Sequence, residues 1–353
     1  MRICFLEGDM SRKGGTERMT ALLANALSDH HSVLVLSLRF DGDNIFFPLK
    51  DNVRHQVLTP AHGKSGILKQ ISEIHRILRD NNIQRVINVD IGTGFYGILA
   101  AIGTKAKVIT WEHANYYNNW NSKVFPYFRR FAAKYSSRLV VLTHQDKDAY
   151  EHHIPHCAPI TVISNPVSTH EFNYNADSKI ILSAGLLDPI KGFNCVIELA
   201  KRLFPSRPGW SWVICGEGSE RPRLEQLIRD AGLEDRIFLP GTIRDMDAQY
   251  KRAAFYVMTS KMEGLPMVLL EAKSWGLPLV SFDIVTGPRD IISHNINGYL
   301  VPHRDIDEMA TKIGALIDDA ALRVRFSQQS QVDLNRFEFE YVLKSWNVLL
   351  EEM

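Results

Sequence analysis

Short, almost wholly apolar segments alternate with segments of helical periodicity along this 353-residue chain. The run RICFLE is followed by a glycine-containing turn, by the helix-patterned segment ERMTALLANALSDH and by a second apolar run, SVLVLSL. Strands that are apolar on both faces are typical of parallel sheets covered by helices. The pattern therefore predicts an α/β fold of βαβ units that begins with a strand at the amino terminus.

The alternation is interrupted near residues 165–178 and then begins again. Pro166 and the polar stretch STHEFNYNADS occupy the interruption, as expected of a linker. Because 353 residues are too many for one typical core, we predict two doubly wound domains, residues 1–165 and residues 166–335.

The composition is that of an ordinary globular protein, with 45% hydrophobic and 23% charged residues. The four cysteines are scattered without a CxxC pair, and Cys4 and Cys215 lie in apolar runs, so we expect buried thiols and no zinc. No run approaches the roughly 18 apolar residues of a membrane span, and MRICFLEGD is too short for a signal peptide. We therefore expect a protein made and kept in the cytoplasm.

Charge is distributed unevenly along the chain. Residues 1–170 carry 20 Lys and Arg against 14 Asp and Glu, whereas residues 171–353 carry 21 against 26. Residues 116–138 of the basic half mix aromatic residues with lysine and arginine. Such a stretch is either a helix packed on the sheet or a helix lying on an anionic membrane surface. The basic first half favours the membrane, and so a peripheral position at its inner face.

The strongest chemical signal is residues 259–281, TSKMEGLPMVLLEAKSWGLPLVS, where Glu263 and Glu271 stand eight positions apart. A helix is predicted to begin near Pro266, and the free N–H groups at a helix start attract anions. The alternative makes Glu263 a helix cap and Glu271 a surface residue. However, Glu271 lies within the apolar run MVLLEA, where a charge needs a partner. The segment therefore predicts a binding site for a diphosphate or for sugar hydroxyls.

Other candidate turns follow predicted strands, where ligands of such sheets bind. They are the loops SRKGGTER, WEHANY, GLLDPIKGF, CGEGSE and TGPRDII. Their candidate residues are Gly14, Gly15, His113, Gly185, Lys191 and Gly216. Glycines let the backbone approach a ligand closely, and Lys191 supplies an ammonium for a phosphate.

Taken together, these segments resemble the retaining family 4 glycosyltransferases, whose E-x7-E signature matches Glu263 and Glu271. The resemblance extends over nearly the whole chain. It implies a GT-B fold, with two Rossmann-like domains facing a central cleft. The first domain would bind the acceptor and the second the nucleotide-sugar, while residues 336–353 would form a helix packed back on the first domain.

The resemblance also implies roles for individual residues. Glu263 would engage the transferred sugar, Glu271 the ribose hydroxyls and Lys191 the donor diphosphate. His113 would contact the donor sugar, which places it with Glu263 and Lys191 among the catalytic residues. The remaining donor-binding residues would be Gly14, Gly15, Thr16, Gly185, Gly216, Phe238, Gly264, Leu265 and Pro266, with Gly287 and Pro288 beside the sugar pocket.

Two features bear on the phosphate and on metal. Leu186 departs from the family pattern, because it occupies a position where an arginine usually binds phosphate. The pairs Asp245–Asp247 and Asp305–Asp307 resemble metal-binding carboxylates, but both precede helical patterns, where aspartate is a favoured cap. We therefore expect no metal and no cofactor.

The expected function is retaining, metal-independent transfer of a hexose or N-acetylhexosamine from a UDP-linked donor. The expected acceptor is a glycan or lipid-linked oligosaccharide of bacterial surface polysaccharide synthesis, with no nucleic-acid partner. One alternative is a nucleotide-sugar-binding protein without transfer activity, which Leu186 favours. The other is a sugar epimerase of the same fold, a class that lacks the Glu263 and Glu271 arrangement.

Overall fold

The computed structural model describes residues 1–60, 63–119 and 122–353. These residues form two compact units, one of Met1–Asn165 with Glu340–Met353 and one of Pro166–Phe339. In each unit, helices cover a parallel sheet, and the predicted α/β class with two Rossmann-like units is confirmed.

The sheet of the first unit has seven parallel strands within the described ranges, in the order β3-β2-β1-β4-β5-β6-β7. They are β1 (Arg2–Glu7), β2 (Ser32–Ser37), β3 (Val53–Val57), β4 (Arg85–Val89), β5 (Lys107–Trp111), β6 (Arg138–Val141) and β7 (Ile160–Val162). The helices between them are α1 (Gly15–Leu27), α2 (Gly63–Asp80), α3 (Ile91–Ala101), α4 (Phe125–Tyr135) and α5 (His144–His153).

Strand β1 is central and pairs with β2 and β4, which explains its continuous apolar sequence. Ile3 to Leu6 are fully buried, because helices cover both faces of the sheet. The sequence analysis did not identify β3 or α2. Strand β3, with the sequence VRHQV, lies at the sheet edge and is largely exposed, so it lacks the apolar run by which the other strands were recognised.

The sheet of the second unit has six parallel strands in the described part, in the order β10-β9-β8-β11-β12-β13. They are β8 (Ile180–Ala184), β9 (Ser211–Cys215), β10 (Ile237–Gly241), β11 (Phe255–Met258), β12 (Leu279–Asp283) and β13 (Gly298–Pro302). The helices are α6 (Asn194–Leu203), α7 (Arg221–Asp230), α8 (Met246–Arg252), α9 (Met267–Ser274), α10 (Pro288–Ile291), α11 (Ile306–Asp318) and α12 (Ala320–Ser330). Short 3₁₀ turns span Pro189–Lys191 and Leu334–Phe337.

The last helix, α13 (Phe339–Glu352), packs on the first unit. Its Trp346 is 1% exposed and meets the Trp111 ring edge-on, with ring centroids 4.9 Å apart. Near the helix end, the Leu350 carbonyl accepts a hydrogen bond from Arg85 Nε at 3.1 Å. The terminal segment therefore completes the core of the unit that the amino terminus begins.

No helix within residues 1–60, 63–119 and 122–353 combines the length and the apolar composition needed to cross a bilayer. Cys4 and Cys215 are buried free thiols, as their apolar sequence context predicted. Burial raises the pKa of the Cys4 thiol to about 12 and that of the Cys215 thiol to about 11, so both stay protonated at neutral pH.

Candidate functional site

Two of the sequence-predicted residues, Lys191 and Glu263, form an ion pair in the second unit. Lys191 ends the 3₁₀ turn that follows β8, and Glu263 lies in the loop that follows β11. Lys191 Nζ and Glu263 Oε1 are 2.6 Å apart, and the two side chains are 23% and 12% exposed. The sheet order makes this contact possible, because β8 and β11 are neighbours and their carboxyl ends lie at one edge.

Backbone contacts between glycines bring the loops after β8 and β9 together. The N–H of Gly185 donates to the Cys215 carbonyl at 2.9 Å, and Gly216 follows with φ of 147°. A Cβ at Gly216 would lie 1.9 Å from the Gly185 carbonyl oxygen, so no larger residue fits. The sequence-predicted Gly185 and Gly216 therefore belong to one rigid junction beside Lys191.

The EGLP segment leads into helix α9 as the sequence predicted. Pro266 is the residue before the first helical residue and has no side-chain cap, so the alternative that made Glu263 a helix cap is wrong. The first N–H groups of a helix have no acceptor within it and favour anions. Leu265 is 6% exposed and anchors the turn in the core, whereas the Glu263 carbonyl accepts from Thr286 Oγ1 at 2.5 Å. The turn is thus fixed at both ends.

Glu271 is half-buried on α9, and its partner is a tyrosine that the sequence analysis missed. The hydroxyl of Tyr250, on α8, donates to Glu271 Oε2 at 2.9 Å. Burial, and then the Glu271 carboxylate, raise the pKa of Tyr250 far above its usual range, so the hydroxyl remains a donor. The prediction that a charge in this apolar run needs a partner is confirmed. Tyr250 lies 21 positions away, and no local pattern marks it.

Two other sequence-predicted positions of the second unit are more exposed. Leu186 is 62% exposed and Phe238, on β10, is 45% exposed. Two arginines of this unit that could take over the role of a phosphate-binding cation are already engaged: Arg221 pairs with Glu217 and Glu225, and Arg289 pairs with Asp283 at 2.6 Å. The family pattern has a phosphate-binding arginine where this chain has Leu186. Neither Arg221 nor Arg289 can therefore supply that second cation without breaking an existing ion pair.

Both aspartate pairs contain helix caps, as predicted. The side chain of Asp245 accepts from the Ala248 N–H at 3.1 Å, and that of Asp305 accepts from the Glu308 N–H at 2.9 Å. Asp247 accepts from Trp275 Nε1 at 3.1 Å, and Asp307 pairs with Arg202. Among the described residues, no group of three or more His, Cys, Asp or Glu side chains could hold a metal ion.

The first-unit candidates lie where two strands end. Helix α1 begins at Gly15, and Gly14 precedes it without a side-chain cap, which leaves the N–H groups of the turn around Thr16 to solvent or to a ligand. His113 follows β5 and packs on Trp111, with ring centroids 4.1 Å apart. Its Nε2 is buried and has no hydrogen-bond partner in the described part of the chain. Burial lowers the pKa of His113 to about 3, so the ring is neutral at physiological pH.

Two neighbouring acidic residues next to His113 in the fold, Asp90 and the buried Glu112, were not predicted. Glu112 follows β5, is 0% exposed and accepts from Tyr150 of α5 at 2.7 Å. Asp90 follows β4 with φ of 71°, a backbone conformation that is rare outside glycine. Burial, and then the neighbouring Glu112, raise the pKa of Asp90 well above its usual range. In the sequence, Asp90 resembles an ordinary helix cap and Glu112 an ordinary residue after a strand, so only the assembled sheet edge reveals that they are neighbours.

Residues 116–138 divide into a packed side and an exposed side, with residues 120 and 121 outside the described ranges. Arg129, one of the arginines of this stretch, is not available to a membrane surface, because it is only 3% exposed. Its guanidinium donates to Asn119 Oδ1 at 2.6 Å and to the Asn118 carbonyl. Lys123, Val124, Tyr127, Arg130 and Tyr135 are exposed, with Tyr127 at 74%. The described part of the stretch is therefore a helix packed on the unit with an aromatic and basic outer side.

Two family models match consecutive parts of the chain. The model described as Glycosyltransferase Family 4 matches residues 13–171, and the one described as Glycosyl transferases group 1 matches residues 167–333.

Full-length relatives and solved structures agree with these matches. The chain is 27% identical, over 99% of both sequences, to an uncharacterized glycosyltransferase of Haemophilus influenzae. It is 25% identical to a Campylobacter jejuni enzyme over 100% of this chain and 99% of that one. The enzyme is the GalNAc-alpha-(1->4)-GalNAc-alpha-(1->3)-diNAcBac-PP-undecaprenol alpha-1,4-N-acetyl-D-galactosaminyltransferase. The structure of Anabaena HepE in complex with UDP has the same fold, with a TM-score of 0.82 and 17% identity over 100% of both chains. Because the two family matches together span residues 13–333, the chain belongs to the family 4 glycosyltransferases of the GT-B fold.

Proposed function

We propose that this glycosyltransferase transfers a hexose or N-acetylhexosamine from a UDP-linked donor, with retention of anomeric configuration, in surface polysaccharide synthesis. The observation that carries the proposal is the Lys191–Glu263 ion pair, which lies just before the start of α9. Helix α9 also carries Glu271. A cation, a carboxylate and a helix start are what a diphosphate-linked sugar requires. The UDP complex of Anabaena HepE supports the choice of nucleotide.

The roles follow from the chemistry of the departing diphosphate. As the bond between the anomeric carbon and the phosphate oxygen breaks, negative charge grows on that oxygen, and the Lys191 ammonium and the first N–H groups of α9 stabilise it. The acceptor oxygen bonds to the same face of the sugar, and its proton passes to the departing phosphate. Glu263 binds the transferred sugar, and Glu271, held by Tyr250, accepts from the ribose hydroxyls. No step in this scheme requires a metal.

We propose further that the acceptor is a glycan carried on a lipid. The Campylobacter relative acts, by its name, on an undecaprenol diphosphate-linked oligosaccharide. The exposed side of α4 carries Tyr127, and Arg130 lies beside it. Aromatic and cationic side chains suit an anionic membrane surface. This surface would bring the enzyme to its acceptor without a membrane span.

Release of UDP from a panel of UDP- and GDP-sugars, with and without lipid-linked glycan extracts, tests the function. We expect acceptor-dependent release from one UDP-sugar, and at least a hundredfold loss in Lys191→Met. Configuration of the product linkage, read by NMR coupling constants, tests retention. UDP-sugar binding without release under any acceptor would instead favour the binding protein without transfer, which the exposed Leu186 keeps as the second candidate.

A further inference from the structure

A buried lysine, Lys273, lies two positions after Glu271 on helix α9. It is 2% exposed, and among the residues that the structure describes no carboxylate lies within ion-pair distance of its ammonium. Burying an unpaired ammonium costs free energy, whereas a methionine of similar volume would fill the same space without that cost. Lys273 therefore weakens the core that it occupies, unless it makes contacts that an apolar side chain could not make.

Lys273 holds the carboxyl end of the short helix α10. Its Nζ donates to the Ile291 carbonyl at 3.1 Å, and Asn297 Nδ2 donates to the same oxygen at 3.3 Å. Arg336 Nη2 donates to the carbonyl one residue earlier. Carbonyls at the end of a helix lack donors within it and carry partial negative charge, so cationic donors fit them well. Three side chains from three segments thus fix one end of α10.

The other end of α10 is seated on the turn that carries Glu263. Gly287 precedes the helix with φ of 100°, and a Cβ there would lie 2.5 Å from Pro266 Cδ and 2.8 Å from the Gly264 carbonyl. The preceding Thr286 donates to the Glu263 carbonyl. Because α10 is a single turn held at both ends, a shift at its carboxyl end displaces its amino end against this turn.

We propose that Lys273 is a positioning residue for the donor site, which it influences through Ile291 and α10 by setting the position of residues 263–266. The inference rests on the proposed function in one respect, because UDP binding is one of its two measurements. The position of the turn can also be measured without any ligand.

The charge of Lys273 changes within an accessible pH range. Burial, and then Arg336, lower the pKa of Lys273 to about 8, while Asp333 opposes the shift. The other charged groups on the packed helix α10 are Arg289, which is ion-paired, and Asp290. The charged donor is therefore present below about pH 8, and above it a neutral amine holds the Ile291 carbonyl more weakly.

Stability and binding should respond to this lysine in opposite directions. The folded pKa lies below the unfolded value, so the unfolded chain binds the extra proton between about pH 8 and pH 10.5. Below pH 8 the folded protein keeps the ammonium buried at a cost, and stability rises as the pH passes from 8 to 10.5. Lys273→Met removes both the buried ammonium and its hydrogen bond to the Ile291 carbonyl, so stability should rise while UDP binding weakens. If Lys273 served only to fill the core, a substitution would change stability and binding in the same direction.

The test compares Lys273→Met with Lys201→Met, which removes an exposed lysine from α6 of the same unit. We expect Lys273→Met to melt a few degrees higher at pH 7, to bind UDP at least fivefold more weakly, and to exchange amide hydrogens faster across residues 260–268. Wild-type affinity for UDP should fall between pH 7.5 and pH 9, and that of Lys273→Met should not. Lys201→Met should match the wild type in every measurement.

A second variant separates position from general damage. Lys273→Gln keeps a neutral donor for the Ile291 carbonyl, so it should restore slow amide exchange and most UDP affinity without the pH dependence. Wild-type exchange and UDP affinity in Lys273→Met would overturn the proposal, as would a loss of melting temperature and affinity that Lys273→Gln does not repair. If the wild type itself fails to bind UDP, the proposed donor is wrong, and the amide exchange alone decides the role of Lys273.

Discussion

At the scale of single residues, the proposed donor site is built from polar groups that already have partners in the structure. Lys191 contacts Glu263, and Glu271 receives the Tyr250 hydroxyl. A donor bound as proposed would therefore share the Lys191 ammonium with the Glu263 carboxylate, and its ribose hydroxyls would share Glu271 with Tyr250. Pre-formed pairs of this kind hold the groups in place and reduce the entropy lost when the donor binds.

Glu271→Gln tests the ribose assignment. The amide keeps the shape of the side chain but replaces a charged acceptor, and a charged hydrogen bond contributes about 1.5–3 kcal/mol. We expect the dissociation constant for UDP, measured by calorimetry, to rise roughly tenfold or more. Glu234→Gln, an exposed control in the same unit, should leave it unchanged. Turnover should fall further in Glu263→Ala than in Glu271→Gln, and unaltered UDP binding in Glu271→Gln would disprove the ribose role.

Leu186→Arg tests the missing second cation. The side chain is 62% exposed at the turn that leads to Lys191, so an arginine fits without repacking. We expect tighter UDP binding, because the guanidinium can pair with the diphosphate and the nearby Arg221 and Arg289 are engaged elsewhere. Ile296→Arg, at a 50% exposed position in the same unit, serves as the matched control. Equal or weaker binding in Leu186→Arg would mean that the site is complete with one cation.

At the scale of elements, helix α4 joins an exposed basic side to a side packed on α3. Phe95 of α3 lies 5.2 Å from Phe128 and 5.6 Å from Phe131, measured between ring centroids. At Gly94, a Cβ would lie 3.0 Å from that of Ala132, which shows how closely the two helices pack. Arg129 is buried as well, and it ties the loop after β5 to the helix.

Arg129→Met and Arg130→Met are adjacent substitutions that should differ strongly in their effect on thermal stability. Arg129 loses charged hydrogen bonds to Asn119 and Asn118, so we expect a loss of about 3 kcal/mol of stability. At roughly 2–4 °C per kcal/mol, the melting temperature should drop by about 10 °C. Exposed Arg130 should change it by less than about 2 °C, since surface substitutions are usually within 0.5 kcal/mol. Equal effects in a thermal melt would contradict the burial of Arg129.

The sequence predicted those features of the fold that depend on residues close together in the chain. The start of α9 follows from EGLP, the caps Asp245 and Asp305 follow from their position before helices, and the paired state of Glu271 follows from its apolar neighbours. The roles of these residues in catalysis remain predictions.

Contacts between distant segments were not predictable from the sequence. Arg129 is one of several basic residues in its stretch of sequence, and only its contacts with the loop after β5 reveal it as a buried donor. Tyr250 reaches Glu271 from another helix, and Asp90 meets Glu112 only because β4 and β5 are neighbours. Edge strand β3 carries no apolar run at all. In each case the deciding free energy comes from tertiary burial, which a linear pattern does not record.

At the scale of the whole molecule, the chain combines a basic first half with an acidic second half. The first half carries the exposed side of α4, and the second carries the proposed donor site. This division suits an enzyme whose acceptor lies at an anionic surface and whose donor is dissolved, since only the first half needs attraction to the surface.

The expected metal independence concerns the complete reaction and is tested on the active enzyme. In the proposed scheme Lys191 and the start of α9 stabilise the departing diphosphate, while Asp245 and Asp305 are occupied as caps. UDP release should therefore continue at full rate in a large excess of EDTA. Loss of activity in chelator, restored by Mg²⁺ or Mn²⁺, would assign a catalytic metal to the enzyme.

The exposed side of α4 predicts that the enzyme docks on anionic membranes, and its exposed cations are the residues to change in a test. Lys123 and Arg130 are exposed beside Tyr127, and each cation near an anionic surface contributes about 1 kcal/mol. The double variant Lys123→Glu/Arg130→Glu should therefore lose at least about 2 kcal/mol, or roughly thirtyfold in partitioning. Buried Arg129 is left unchanged, because reversing its charge would unfold the helix rather than test the surface.

Co-sedimentation with vesicles of anionic and of neutral lipid measures this partitioning. The wild type should bind anionic vesicles and release them at high salt, whereas the double variant should stay in solution. Lys201→Glu/Arg229→Glu makes the same change of net charge on exposed residues of the second unit, and it should bind like the wild type. Equal loss in both double variants would assign the attraction to net charge alone. Equal binding of the wild type to anionic and neutral vesicles would contradict docking on an anionic membrane. A dissolved glycan would then be the better candidate acceptor.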